Sequence, residues 1–156
     1  MPGYGILGPS EGTGLLPWSA VEERVRASHD YWLATTWPDG RPHVMPVWGT
    51  WDGAALWFSS GLRSRKAANL AHDDRCCLTT DDALDPVVLE GRAELVVDLD
   101  ARRPFLAAMN AKYDVDYDLD FLDPAVNGCW RVRPVTAFAL LQADFAGSPT
   151  RWTFET

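Results

Sequence analysis

The spacing of apolar and polar residues changes several times along the chain, and each change marks an element. Tyr31–Trp37 is aromatic and β-branched and predicts a strand. Pro38-Asp39-Gly40 follows as a turn, because Pro presets φ and Gly accepts a positive one. His43–Thr50 and Ala55–Ser59 predict two further strands joined across Asp52-Gly53, a hairpin signal. Arg75–Thr80, Val87–Val97 and Cys129–Gln142 bring the number to about six. Gly91 is expected to bend one of these, and Pro134 to mark an edge or a bulge in the last.

Helical signals are fewer. Ser19-Ala20-Val21-Glu22 has capping-box spacing and predicts a short helix to about Ser28. Ser64 caps a second helix through about His72. Asp100 is expected to cap a third from Ala101 to Tyr113, with Pro104 in its first turn, where a missing donor costs nothing. Residues 1–17, rich in Gly and Pro, read as a mobile or draped arm. Asp81–Asp85 reads as an acidic turn and Asp114–Asp123 as an exposed loop. Strands grouped in hairpins with two to three short helices predict an antiparallel β-barrel of α+β class. Strand and helix do not alternate as a doubly wound parallel sheet requires, and neither GxGxxG nor a Walker A motif is present.

Composition bounds the rest. The 156 residues suit one domain over 1–156, and a hydrophobic fraction of 47% can fill a core. No apolar run is long enough to span a bilayer, and the start lacks the basic, apolar, small-residue order of a secretory leader. Three Cys, two of them adjacent, do not make a disulfide framework, so a reducing cytoplasm is expected. A net charge of −8 argues against general nucleic-acid binding.

One short segment departs from that acidic average. Ser59-Ser60-Gly61-Leu62-Arg63-Ser64-Arg65-Lys66 lies between a predicted strand and a predicted helix. It supplies three hydroxyls, three cations and the free N–H groups of a helix start, which is the donor set a phosphate dianion takes. From the residues alone, a phosphate grip and an ordinary capped basic turn are both open.

The order of elements around this segment resembles the pyridoxamine 5′-phosphate oxidase-like family of split β-barrel flavin proteins. The likeness rests on Pro38-Asp39-Gly40-Arg41-Pro42, the Asp-Gly hairpin, Leu56-Trp57-Phe58-Ser59-Ser60, Ser64-Arg65-Lys66-Ala67-Ala68-Asn69-Leu70 and Asp74-Arg75-Cys76-Cys77-Leu78. It covers roughly Asp30 to Val97, and Trp130–Pro134 and Thr150-Arg151-Trp152 are similar to the small actinobacterial members. The resemblance implies an oxidoreductase in which a flavin-type cofactor, FMN or the deazaflavin F420, passes hydride to a small conjugated substrate. It also implies a homodimer with the site at its interface. Carried over residue by residue, Ser60, Arg65 and Lys66 would contact the cofactor phosphate, Ser59 would belong to the same cofactor site, and Asn69 would face the same pocket or tie the helix to the loop. Met45, Pro46, Val47 and Trp48 would lie along the flat ring system, and Trp152 would close over it, from the same or the second subunit. The vitamin-oxidising members resemble one another in an Arg where Val44 stands and a Lys where Gly49 stands. Both are missing here, which argues against oxidation of the vitamin and favours the deazaflavin over FMN. Against the deazaflavin, its acidic tail would meet a chain of net charge −8 unless Arg63, Arg65 and Lys66 face it.

Other candidates read plainly. His29, His43 and His72 are scattered and lack metal-motif partners. Cys76 and Cys77 point to opposite faces of a strand and cannot chelate together. Trp32, Trp37, Trp51 and Trp57 suit core or dimer contacts, and the Asp114–Asp123 run lacks the Gly and closing Glu of a calcium loop. Two rival functions use the same pocket. One is a non-catalytic cofactor carrier, and the other is a haem-binding barrel with His43 as axial ligand.

Overall fold

The computed structural model describes residues 5–8 and 10–155. Six strands close into an antiparallel barrel: β1 (Asp30–Thr36), β2 (Pro42–Trp51), β3 (Leu56–Gly61), β4 (Arg75–Thr80), β5 (Val87–Val96) and β6 (Asn127–Ala139). Their order is β3-β2-β1-β4-β5-β6, and a β3–β6 pairing shuts the ring. A seventh strand, β7 (Thr150–Thr153), adds to the outer edge of β6. Three helices, α1 (Trp18–Ala27), α2 (Arg65–His72) and α3 (Leu99–Tyr113), complete the α+β fold. No helix among the described residues is long and apolar enough to cross a membrane.

The predicted turns work as their chemistry requires. Gly40 and Gly53 take φ of +88° and +102°. Asp52 accepts from the N–H groups of Ala54 and Ala55 and thereby shapes the hairpin between β2 and β3. Alternation along β1 and β4 sends Tyr31, Leu33, Cys76 and Leu78 into the barrel, where they meet Leu56, Phe58, Trp130 and Val132 from the opposite wall. Val21 and Val25 of α1 cap that core at one end. A second cluster lies outside the barrel, where Phe105, Leu106, Met109 and Tyr113 of α3 cover Trp57, Val96 and Cys129.

Several boundaries differ from the sequence expectation. The cap of α1 is Pro17 without a side-chain bond, so Ser19 lies inside the helix. Its start is set instead by Trp18, which packs against Trp51, Trp152 and Phe154. The third helix is capped by Asp98, two residues earlier than expected, which places Pro104 in the second turn. There it removes a helical hydrogen bond, and burial of Phe105, Leu106 and Met109 offsets the loss. The last predicted strand is shorter and displaced, and β7 was not anticipated. The acidic loop contains a 3-10 turn, Leu119–Leu122, with Leu122 fully buried. The N-terminal arm is draped: the N–H groups of Leu7, Gly14 and Leu16 donate to Ala146 O, Gly147 O and Thr150 Oγ1. Residues 1–4 of that arm, and Pro9, lie outside the described residues.

Two buried features hold α3 and the β5–β6 pair in place. Arg102 is 1% exposed, and its guanidinium donates to Val96 O at 2.7 Å and Leu122 O at 2.6 Å. It therefore ties the end of β5 to the acidic loop with carbonyl partners instead of a carboxylate. Gly91 sits at the expected irregularity, where the register slips and Val135 of β6 is left without a partner on β5. A Cβ at Gly91 would lie 2.3 Å from Arg133 O. Gly91→Val is expected to lower stability by about 3 kcal/mol, read as a drop in the urea unfolding midpoint. An unchanged midpoint would show that the bulge can open to admit a side chain.

Candidate functional site

The site is created by a break in the sheet. β2 pairs with β3 only at Gly49–Phe58, Thr50–Trp57 and Trp51–Leu56. From Pro42 to Trp48, β2 is bonded to β1 alone, and Ser59–Gly61 of β3 are bonded to β6 alone. Two strand edges thus face one another without a ladder. Alternate N–H and C=O groups of Met45–Trp48 point into this cleft, because those directed at β1 are already used.

The Ser59–Lys66 segment closes one end of the cleft. Ser64 caps α2 by accepting from Ala67 N–H, and its hydroxyl lies 3.0 Å from that of Ser60. The Arg65 guanidinium carbon lies over Trp37, 3.7 Å from the ring centroid, which holds its charge beside the helix start. Lys66 is half-buried, and burial pulls its ammonium below the ordinary lysine range. Among the described residues, no carboxylate lies within salt-bridge distance of Arg63, Arg65 or Lys66. Asn69 is fully buried one turn further on. Its Nδ2 donates to Thr35 Oγ1 at 3.0 Å, while its Oδ1 has no partner. Thr35 Oγ1 lies 3.4 Å from His43 Nδ1 on β2. Paired hydroxyls, cations without acids, a free helix start and an orphaned buried carbonyl suit a phosphate-bearing ligand with further donors.

The sequence-derived residues separate into groups. Ser59, Ser60, Arg65, Lys66 and Asn69 gather at the end of the cleft, and Met45, Pro46, Val47 and Trp48 line its long edge. Val47 is buried in the barrel core, so its side chain does not enter the cleft. The Trp48 ring lies against Tyr113 of α3, with centroids 4.3 Å apart and planes 7° from parallel. Trp152 pairs with Ala137 and packs on Trp18. Along β6, Ala137 is about 30 Å from Gly128, the partner of Ser60, at ~3.3 Å per residue. Trp152 is therefore remote from the grip of its own subunit.

Sequence reading missed the far end of the cleft. Lys112 Nζ donates to Gly49 O at 2.8 Å and to Tyr31 Oη at 3.0 Å. Tyr113 Oη accepts from Gly49 N–H at 2.8 Å and donates to His29 O at 2.6 Å. A side chain at Gly49 is excluded, since a Cβ would meet Trp57 O at 2.9 Å and the Tyr31 ring at 3.2 Å. A lysine does meet the main chain at this position, but it comes from α3. The available signal was the lysine count: twelve cations are Arg and only Lys66 and Lys112 are Lys.

A groove of about 630 Å³ lies elsewhere, on the outer face of β1, β4, β5 and β6. Its charged side chains already have partners: Asp73 with Arg75, and Glu90 with Thr136. Nothing in it calls for a ligand. Cys76 and Cys77 line it, with thiols pushed up by burial, Cys76 to about 12, which makes them poor nucleophiles.

The fold and cleft define a split β-barrel with a cluster of cations and hydroxyls at one end of an open strand edge. Residues 18–135 match the pyridoxamine 5′-phosphate oxidase family, and the chain belongs to that family. Among solved structures it is similar to an F420 reductase, at 25% identity and a TM-score of 0.62, covering 74% of this chain and 94% of that one. It is similar to a conserved hypothetical protein from Mycobacterium tuberculosis, at 25% identity and a TM-score of 0.68, covering 78% and 82%. It is also similar to a heme binding protein from Mycobacterium smegmatis, at 26% identity and a TM-score of 0.66, covering 88% and 59%. No curated protein matches it in sequence.

Burial lowers the Lys112 ammonium from 10.5 to about 8, against the opposing pull of Asp81 and Asp30. Below pH 8 the ammonium is charged in both folded and unfolded chains, and the cost of burying it is fully present. Between pH 8 and 10.5 the unfolded chain binds more protons, so this group makes stability rise with pH. Urea unfolding of wild type and Lys112→Met at pH 7 and pH 10 should show wild type gaining relative to the variant at the higher pH. A constant difference would mean that Lys112 titrates like an exposed lysine.

Proposed function

We propose that the chain is an oxidoreductase that holds a flavin-type cofactor, the deazaflavin F420 in preference to FMN, and reduces a small conjugated substrate. The observation that carries this reading is the cleft between β2 and β3, with an acid-free cationic grip at one end and unpaired backbone along its length. In this reading Ser59, Ser60, Arg65 and Lys66 bind the phosphate by charge-assisted hydrogen bonds, and the orphaned Oδ1 of Asn69 accepts from a donor on the ligand. Met45–Trp48 present main-chain donors and acceptors to the polar edge of the ring system. Bound there, the cofactor supplies the hydride chemistry, while the chain orients it and excludes water. The valine at 44 and the glycine at 49 support a substrate other than the vitamin phosphate. Likeness to an F420 reductase supports the deazaflavin.

Homodimerisation is part of the same proposal. On the outer face of β1 and β2, Trp32 sits opposite Pro46 and Ala34 opposite Val44. Trp32 is 46% and Val44 51% exposed, a large apolar area for a lone subunit in water. The partner's Trp152 could then approach the cleft that its own subunit does not reach. Three free thiols support a reducing cytoplasmic setting. In sedimentation equilibrium the wild type should have twice the mass of the chain, and Trp32→Glu should shift it toward monomer. A monomeric wild type at micromolar concentration would remove this part of the proposal.

Cofactor binding is tested by titrating F420 and FMN against intrinsic and cofactor fluorescence. The double variant Arg65→Ala, Lys66→Ala should weaken binding about a hundredfold, from two lost charge-assisted contacts. If the wild type binds neither cofactor, the reading is wrong. Turnover of the reduced cofactor with quinones, enones and tetrapyrroles separates an enzyme from a carrier. A haem-binding reading is favoured by one observation, the half-buried His43 on the cleft strand, and by the likeness to a heme binding protein. It requires a Soret band on haem titration that His43→Ala abolishes.

A further inference from the structure

Two facing unpaired strand edges gain by zipping together, so the parting of β2 from β3 needs a physical cause on the edge that β2 turns to β3. Bonded and non-bonded residue pairs alternate along an antiparallel ladder. At the turn between β1 and β2, Trp37 N–H donates to Arg41 O at 2.8 Å. In the register that follows, Thr35–His43, Leu33–Met45 and Tyr31–Val47 are then the bonded pairs. Pro42, Val44, Pro46 and Trp48 therefore direct their main-chain groups away from β1, at the cleft. The next hairpin agrees. Asp52 N–H donates to Ala55 O at 3.1 Å, so Thr50–Trp57 is a bonded pair and Gly49–Phe58 is not. Gly49 gives its N–H to Tyr113 and its C=O to Lys112 on the opposite edge.

Continued past Gly49, the ladder would bond Trp48 to Ser59 and then Pro46 to Gly61. The second of these pairs cannot form in full. Pro46 has no N–H, and its ring carbon stands where the donor would. Gly61 O accepts from Ser64 N–H at 2.9 Å, which leaves a lone pair that Pro46 cannot fill. Only Trp48–Ser59 would then be left to close the cleft with a complete pair of bonds. Pro46 is exposed, so the barrel core does not require a proline there. Pro42 lies on the same edge, but in this register it falls opposite Arg65, beyond the end of β3, and has no ladder to stop.

We propose that Pro46 is a positioning residue of the cleft: by withholding a donor from β3 it stops the β2–β3 ladder, and it leaves the N–H of Trp48 and the C=O groups of Pro46 and Trp48 free to meet a ligand. The inference deepens the cofactor reading above and rests on it for the identity of the ligand.

The test uses the full chain with Pro46→Ala, which restores an N–H at an exposed position, and Pro46→Val as a second variant should the first not fold. Pro42→Ala restores an N–H on the same edge and serves as the control. Amide hydrogen exchange reads the ladder without any ligand. The amides of Trp48, Ser59 and Gly61 should exchange about tenfold more slowly in the Pro46 variant, the protection of roughly one net hydrogen bond each, and at the wild-type rate in Pro42→Ala. Affinity for F420 or FMN should fall about tenfold in the Pro46 variant, because the ligand must reopen the ladder. Unchanged exchange at these three amides would overturn the proposal and place the cause of the parting in the hold of β6 and α2 on β3. Equal slowing in Pro42→Ala would also overturn it, since the effect would then not depend on the position opposite Gly61. Slower exchange with undiminished cofactor affinity would overturn the positioning role. Failure of wild type to bind either cofactor, with the exchange changes as stated, would overturn the cofactor reading and leave Pro46 standing as the ladder stop.

Discussion

From Pro42 to Trp48, strand β2 is hydrogen-bonded on one side only, and that asymmetry organises the molecule. A closed barrel normally satisfies every strand edge. Here closure is kept by pairing β3 with β6 while β3 releases β2, so the ring of strands is complete and still has an opening. The opening is flanked by structure that does not depend on a ligand. At one end α2 begins on a capped serine and docks Asn69 against Thr35. At the other, α3 delivers Lys112 and Tyr113 to Gly49.

Charge follows the same division. The chain carries a net charge of −8, and most arginines are spent on neighbouring acids, as in Arg75 with Asp73 and Arg131 and Arg133 with Glu94. Such exposed pairs contribute little to stability, but they leave the surface acidic and nearly self-compensated. Against that background the grip keeps cations whose partners are an aromatic ring, a hydroxyl and solvent. The lysines stand at the two ends of the cleft, each drawn down by burial. A half-buried ammonium without a carboxylate is an unfavourable arrangement for a folded chain taken alone, and it is the kind of strain that binding sites retain.

Much of this was legible before any coordinates. Short-range signals survived almost unchanged: the Pro38–Gly40 turn, the Asp52-Gly53 hairpin, Ser64 as a cap, Arg75–Thr80 as a strand and Gly91 as the irregularity. The errors fell where a distant contact outweighed a local one. Ser19 and Asp100 each have good capping chemistry, yet the helices start at Trp18 and Leu99, where aromatic packing and the end of β5 fix the entry. Strand β7 has only four residues and exists because β6 offers it an edge.

For the site, the sequence by itself determined the donor set: three hydroxyls, three cations and a helix start lie within eight residues, and local chemistry is enough to bring them together. It also determined that position 49 carries no side chain. What only the tertiary structure decided is where the cleft ends and which side chains meet β2 at that point. Lys112 and Tyr113 are more than sixty residues from Gly49 along the chain. No periodicity or spacing reports on a contact of that range, because it is set by how α3 lies across the barrel, and that follows from the packing of Phe105, Leu106 and Met109 on Trp57 and Val96. Trp152 shows the same limit, since its tail position says nothing of the strand it joins until β6 is in place.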